Sequence, residues 1–340
     1  MALRIAINGM GVIGRDLFKT LWGKEGFEIV FLNDNGIAPA NLAYLLKYDS
    51  IYHDFEYKDT VTFGEDSITV DGKQLRLYNE NNISNLPLGE YKVDYVLDCT
   101  GSLNSKEKLQ GFINAGARKV IACYSCGNDM AHIVPNVNHD SLKPYDTIIS
   151  VPQMEEQTAA AMLKILNDAL GVQSGIIKAF RSYTNAQPTM DSYVSKDYVR
   201  GRAATVNITP VSDSFAKVVG HIVPELNGKV SGLAYRSPVI TGSIMDLTIK
   251  TQKSTDFDAL RATLKAGSNE SIGYSEDALC SSDALSFESP QILAQRVLVM
   301  PDENGSLINI SAAYDNVRGY CNQMARFLKW VTQPTSPWNY

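Results

Sequence analysis

Residues 3–15 read LRIAINGMGVIGR and residues 27–36 read FEIVFLNDNG. Leu3 to Asn8 is a short, nearly continuous apolar run, the pattern of a strand buried on both faces. Gly9-x-Gly11-x-x-Gly14 follows it directly and opens a helical pattern through Phe18 and Leu21. A second apolar run, Glu28 to Asn33, ends at Asp34-Asn35-Gly36. This order of strand, glycine loop, helix and strand is that of a doubly wound α/β unit. The first glycine permits the tight turn, the second lets backbone approach a pyrophosphate, and the third lets helix and strand pack closely. Asp34 stands 20 residues after Gly14, where a carboxylate accepts both ribose hydroxyls and repels a 2′-phosphate. The expected cofactor is therefore NAD rather than NADP.

Outward from this stretch the alternation continues. Pro39 to Lys47 is helical, with Leu42, Leu45 and Leu46 on one stripe. Val61 to Tyr78 alternates apolar and polar residues around Gly64-Glu65-Asp66 and Asp71-Gly72, which predicts antiparallel hairpins. Strands at Tyr95 to Cys99, Lys119 to Ala122 and Thr147 to Ser150 enclose a helix near Ser105 to Ala115, and Glu155 to Ala169 is a long helix. Beyond Gly171, strand-like segments dominate: Gly175 to Tyr183, Ser243 to Lys250, Val297 to Met300 and Leu307 to Tyr314. Helices at Asp256 to Lys265 and from about Tyr320 to Trp330 are the main exceptions. The expected fold is α/β: a Rossmann-type doubly wound parallel sheet over residues 1–150, then an α+β domain with a mainly antiparallel sheet over 151–315. The C-terminal segment 316–340 is expected to pack back on the first domain, with its tail aromatics buried.

Composition sets the outer bounds. A chain of 340 residues, 44% of them apolar, is long enough for two sizeable cores. Asp and Glu number 37 against 31 Lys and Arg, a net charge of −6, which argues against nucleic-acid binding. No 18-residue apolar run is present, so no membrane span is expected. MALRIAING enters a strand pattern at once, leaving no room for a secretion signal. The five cysteines (Cys99, Cys123, Cys126, Cys280, Cys321) are odd in number and sparse, unlike a disulfide framework, so a cytoplasmic location is expected. Cys123 and Cys126 form a CxxC with no second pair, so no metal site is expected. They read as small buried or half-buried thiols, with a redox role as the competing reading.

The chain resembles phosphorylating glyceraldehyde-3-phosphate dehydrogenase along nearly its whole length. The resemblance rests on IAINGMGVIGR (5–15), LNDNG with ANLAYLLKYDS (32–50) and VDYVLDCTG (93–101). The second half adds SYTNAQ (182–187), RGRAATVNITP (200–210), VPELNGKVSGLAYRSP (223–238) and YDNVRGY (314–320). It implies that Asn8, Gly9, Gly11, Val12, Ile13 and Gly14 cradle the dinucleotide and Asp34 holds the adenosine ribose. Thr100 and Gly101 lie along the adenosine, Cys123 beside the nicotinamide, and Asn316 holds the carboxamide. Val12 departs from the family's usual Arg, whose contact there is mainly through backbone.

The family's chemistry uses a Cys thiolate that attacks the aldehyde, a His base, and inorganic phosphate that cleaves the thioester. Its nucleophile lies in Ser-Asn-Ala-Ser-Cys-Thr-Thr-Asn, and the matching stretch here is Ser150-Val151-Pro152-Gln153-Met154-Glu155-Glu156-Gln157. Met154 stands in the nucleophile's place, and a thioether has no proton to lose. Arg181 stands where the His belongs, and a guanidinium is no base. Losing such a nucleophile costs on the order of 10⁶ in turnover. The attacking-phosphate positions correspond to Glu155, Asp213 and Ser214, and a carboxylate about 5 Å from a phosphate costs roughly 3 kcal/mol per pair of unit charges. Of the substrate-phosphate site, Thr184 and Arg236 remain as an anion remnant, while the family's Asp becomes Ala186. Arg181 is expected to pair with Glu155 across the former site.

The functional expectation is an NAD-binding relative with no catalytic residue of the family reaction: a pseudoenzyme with a cofactor-sensing, regulatory or scaffolding role. The competing reading is an oxidoreductase that moves hydride without a covalent intermediate, using Tyr183, Glu155, Glu156 or the Cys123 thiol for proton chemistry. The segment Asp191 to Lys217, with Arg200 and Arg202, matches the family's intersubunit loop. A homotetramer is implied by that resemblance, with mixed assembly alongside an active paralogue as a further expectation.

Overall fold

The structure, a computed structural model, describes residues 2–195, 197–211 and 215–339. Asp213 and Ser214, two of the expected anion-site positions, lie outside the described residues. The chain divides into two compact units: Met1–Ile133, Asp140–Pro152 and Met324–Tyr340 form one, Val134–His139 and Gln153–Gln323 the other.

In the first unit, β1 (Leu3–Asn8), α1 (Val12–Leu21), β2 (Phe27–Asn33) and α2 (Pro39–Lys47) follow the sequence pattern almost residue for residue. The reason is burial. Leu17, Phe18 and Leu21 of α1 and Leu42 and Leu46 of α2 are buried, each large side chain stabilising the fold by about 1.5–3 kcal/mol relative to exposure. The alternating stretch becomes β3 (Thr62–Phe63), β4 (Ser67–Val70) and β5 (Lys73–Tyr78). The pairs β3–β4 and β4–β5 are antiparallel, and β5 then joins β2 in parallel through Leu32 opposite Leu77. The remaining elements are β6 (Tyr95–Asp98), α3 (Lys106–Asn114), β7 (Lys119–Ala122), β8 (Ala131–His132) and β9 (Ile148–Ser150). Among the described residues the strands form one sheet in the order β3-β4-β5-β2-β1-β6-β7-β9-β8. The chain reverses direction across the sheet at β1, the kind of point where α/β sheets bind ligands outside the strands' carboxyl ends. The C-terminal tail belongs to this unit. Trp338 is buried against Tyr95 and Phe327, donates through Nε1 to the Lys143 carbonyl at 3.2 Å, and lies 4.8 Å beneath the Lys119 ammonium.

The second unit holds α4 (Met154–Leu170), β10 (Val172–Ser182), β11 (Thr209–Val211), α5 (Phe215–Ile222), β12 (Val230–Ser237), β13 (Ser243–Thr251) and α6 (Phe257–Gly267). It continues with β14 (Gly273–Ser275), β15 (Gln291–Leu293), β16 (Leu298–Asp302), β17 (Gly305–Tyr314) and the first turns of α7 (Arg318–Val331). The sheet runs β11-β12-β10-β13-β17-β15-β14, with β16 also on β17. It is mixed: β10 pairs with β12 in parallel, and β13 is antiparallel to both β10 and β17. The sequence pattern did not bring out β12 or α5. In β12, Ser231, Gly232 and Leu233 break the apolar spacing, and the sheet position is set by pairing to β10 rather than by periodicity.

Candidate functional site

The first cluster lies at the carboxyl ends of β1, β2 and β6. Gly9 has a φ of +89°, and a Cβ there would meet the backbone nitrogen of Thr100 at 2.9 Å. A Cβ on Gly14 would lie 1.9 Å from the Gly9 carbonyl oxygen, so helix and loop approach as only glycine allows. Gly11, at the start of α1, faces open space within 4 Å of where its Cβ would be. That gap is what a pyrophosphate needs at a helix N-terminus. Asp34 is fixed beside the loop: Oδ2 accepts from the Met10 amide at 2.7 Å, and Oδ1 from Gly36 at 2.9 Å and Ile37 at 3.1 Å. Together these bound a cleft of about 410 Å³ whose walls include Asn8, Gly9, Gly11, Asp34 and Thr100. The residues present fit a dinucleotide whose ribose meets Asp34.

Beneath the cleft runs a polar chain that sequence reasoning missed. Asn33 Nδ2 donates to Asn8 Oδ1 at 2.6 Å, and Asn8 Nδ2 donates to Asp98 Oδ1 at 2.6 Å. Thr100 Oγ1 donates to Asp98 Oδ2 at 3.2 Å, and the Tyr124 hydroxyl donates to the same oxygen. Asp98 is fully buried. Burial pushes its carboxyl pKa up, against the opposing pull of donors from Tyr124, Asn8 and Thr100. An acidic residue ending an otherwise apolar strand, VLD (96–98), was the available signal.

The other expected cofactor residues are distributed as follows. Val12 is exposed and Ile13 half-buried at the start of α1. Gly101 is exposed at a φ of +69°. Cys123 is buried, its Sγ 3.8 Å from the Ile121 carbonyl oxygen. Cys126 is half-buried, and burial raises its thiol to about 12, far from a reactive thiolate. All five cysteines are free thiols.

The second cluster belongs to the second unit. Met154 is the first residue of α4 and is buried, with Glu155 and Glu156 behind it in the first turn. Arg181, near the end of β10, reaches Glu155: its Nη1 lies 2.7 Å from Oε1 and 2.6 Å from Oε2. Arg181 is 5% exposed and Glu155 3%, so the pair is shielded from water. A polar row crosses the sheet here, because Arg181 stands opposite Arg236, Arg236 opposite Thr209, and Ser243 opposite Tyr314. Tyr314 is wholly buried, and burial together with the Glu155 charge pushes its phenol well above the usual range. Asn316 Nδ2 donates to Ser243 Oγ at 3.0 Å. Arg236 is half-buried and donates to the Ser182 carbonyl at 2.8 Å, while Thr184 lies exposed in the loop after β10.

This arrangement has a direct electrostatic meaning. The positive end of α4 is met by two carboxylates of its own first turn. Arg181 neutralises one of them. A helix N-terminus that would otherwise attract an anion or lower a thiol's pKa is therefore already compensated from within the chain. The expected Arg181–Glu155 pair is present.

Among the described residues no cluster of three or more His, Cys, Asp or Glu side chains is arranged to hold a metal. No helix among them is long and apolar enough to cross a membrane. Residues 3–106 match the family described as glyceraldehyde 3-phosphate dehydrogenase, NAD binding domain, and residues 157–316 match its C-terminal domain. The chain is 37% identical over 332 residues to a glyceraldehyde-3-phosphate dehydrogenase of Clostridium pasteurianum, covering 97% of this chain and 98% of that one. It is 36% identical over 336 residues to the protein of that name from Streptococcus pyogenes serotype M1, covering 98% and 99%.

Proposed function

The chain belongs to the glyceraldehyde 3-phosphate dehydrogenase family, and from that premise we propose that it binds NAD without carrying out phosphorylating aldehyde oxidation. Its role in this reading is that of a pseudoenzyme: cofactor-sensing, regulatory or scaffolding. The observation that carries the proposal is the buried Arg181–Glu155 ion pair behind Met154. Family chemistry would need a thiolate at Met154, a proton acceptor at Arg181 and room for phosphate at the start of α4. A thioether cannot attack a carbonyl to give a thioester. A guanidinium engaged by a carboxylate cannot accept the hydroxyl proton. Glu155, held by Arg181, offers the product-releasing phosphate no hydroxyl, and the second carboxylate of that turn, Glu156, repels it. Three roles fail in one place and in compatible ways, because the acid and base charges introduced there neutralise each other.

The cofactor residues support retained nucleotide binding. Asp34, the glycine loop and Thr100 fit the adenosine half, and Asn316 is oriented by Ser243. That last feature favours the second reading, hydride transfer to another substrate without a covalent intermediate. Tyr183 (half-buried, two residues after Arg181), Glu155, Glu156 or the Cys123 thiol would have to supply the proton chemistry of such a reaction.

In this account residues 1–150 remain the nucleotide-binding domain and 151–315 the former catalytic and assembly domain. A homotetramer, alone or mixed with an active paralogue, is part of the proposal. It is supported by the exposed apolar residues Met190, Tyr193, Tyr198, Val206 and Ile208 in and around the 191–217 segment. The free thiols agree with a reducing, cytoplasmic setting.

The test is a calorimetric titration with NAD and NADH, followed by a screen of aldehydes and polyols. Saturable NAD binding with no turnover is expected. Turnover of an unphosphorylated substrate selects the second reading, and absence of nucleotide binding refutes both.

A further inference from the structure

The geometry beneath the cleft points to a positioning residue: we propose that Asp98 sets the adenosine half of the cofactor site without touching the cofactor. This rests on the NAD-binding reading above. Asp98 is absent from the cleft wall and fully buried, yet the side chains that converge on it are Asn8, Thr100 and Tyr124. Asn8 and Thr100 both line the cleft, and Asn33, held through Asn8, lines it as well.

The direction of the hydrogen bonds explains why a carboxylate is needed. The Glu80 backbone amide donates to Asn33 Oδ1 at 3.0 Å, while Asn33 Nδ2 donates to the Glu80 carbonyl at 3.1 Å and to Asn8 Oδ1 at 2.6 Å. With its Oδ1 accepting from Asn33, Asn8 must present its Nδ2 to Asp98. The chain of amides therefore arrives at Asp98 as a donor, and Thr100 and Tyr124 arrive as donors too. A carboxylate accepts from all three at once, with no hydroxyl or amide reversed; the Tyr124 hydroxyl has an alternative acceptor in the Leu103 carbonyl at 3.1 Å. An amide in its place offers one acceptor and one donor, so at least one of the three partners must turn. If Asn8 turns, its bond to Asn33 is lost and the wall beside Asp34 changes shape. If Thr100 rotates about its Cα–Cβ bond, its methyl group, which lies against Gly9, moves with it.

Asp98 thus ties β1, β2 and β6 into one preset wall. Order obtained before binding lowers the entropy that the cofactor must otherwise overcome.

The experiment is calorimetric titration of the full-length protein and of D98N, Y124F and D98N/Y124F with NAD and with ADP-ribose. The D98N substitution is expected to weaken both ligands by about tenfold, the loss that follows when a hydrogen bond to a charged group is disrupted. The double variant is expected to bind no more weakly than D98N alone, because Tyr124, which is absent from the cleft wall, acts through Asp98. Should D98N fail to fold, Y124F alone is expected to lower affinity for both ligands by the same factor, since it removes one donor from the carboxylate. Affinity for NAD within twofold of wild type in D98N overturns the proposal, as do losses in D98N and Y124F that multiply. Unchanged affinity in Y124F overturns it too. Failure of the wild-type protein to bind NAD removes the premise as well, and so separates the two failures.

Discussion

Substituting Glu155 by Gln removes a charge while keeping shape, and so isolates the ion pair. Arg181 and Glu155 meet at 2.6 Å with both side chains buried. With charge centres about 4 Å apart and an effective dielectric near 20, their attraction is roughly 4 kcal/mol. Desolvation of both ions offsets much of this in the intact pair. In E155Q the guanidinium stays buried but loses its countercharge, and the expected loss of stability is about 3–5 kcal/mol. For a unit the size of the second one, that corresponds to a fall in Tm of roughly 10 °C. Replacing both partners, as E155M/R181M, leaves no buried charge from the pair and should return stability to within about 1 kcal/mol of wild type. The assay is urea unfolding without nucleotide, so that cofactor linkage does not mask the change. An E155Q protein within about 1 kcal/mol of wild type would refute the reasoning, since Arg181 would then not depend on Glu155.

Further outcomes are expected at the nucleophile position, in the glycine loop and at the CxxC. M154C alone should form no NADH from glyceraldehyde 3-phosphate, whereas M154C/E155T/R181H restores thiol, base and an uncharged anion position together and should raise turnover at least about a thousandfold. G11A adds a methyl group into open space and should cost under about 1 kcal/mol of stability, yet weaken NAD about a hundredfold by filling the pyrophosphate's place. G14A, whose methyl would meet the Gly9 carbonyl at 1.9 Å, should lose stability and NAD binding together. In an iodoacetamide time course at neutral pH, Cys126, with its thiol raised to about 12, should react about a thousandfold more slowly than an ordinary cysteine. Rapid labelling there would revive a redox role for the CxxC.

The nucleotide unit was legible because its signals are local. β1 and α2 begin and end where the apolar runs do, and the glycine spacing marks the loop that borders the cleft. Trp338 could be expected to bury itself on the nucleotide unit, but not against which residues, because its partners Tyr95 and Lys143 are distant in sequence. The α5–β12 region was missed for a related reason: β12 is held by pairing with β10, which no short window records. The Arg181–Glu155 pair was legible only through the family pattern, since nothing in RSY or MEEQ alone says that these charges meet. Asp98 was overlooked as a carboxylate at the end of an apolar strand. Its role comes from three donors on separate segments, Asn8, Thr100 and Tyr124.

The most direct test of the central claim is a stopped-flow trace of NADH absorbance after mixing the NAD-loaded wild-type protein with glyceraldehyde 3-phosphate and phosphate. A thiolate nucleophile would give a burst of NADH approaching one equivalent per subunit, followed by steady turnover. A flat trace is expected, indistinguishable from NAD and substrate without protein. A burst, with or without the later phase, would contradict it.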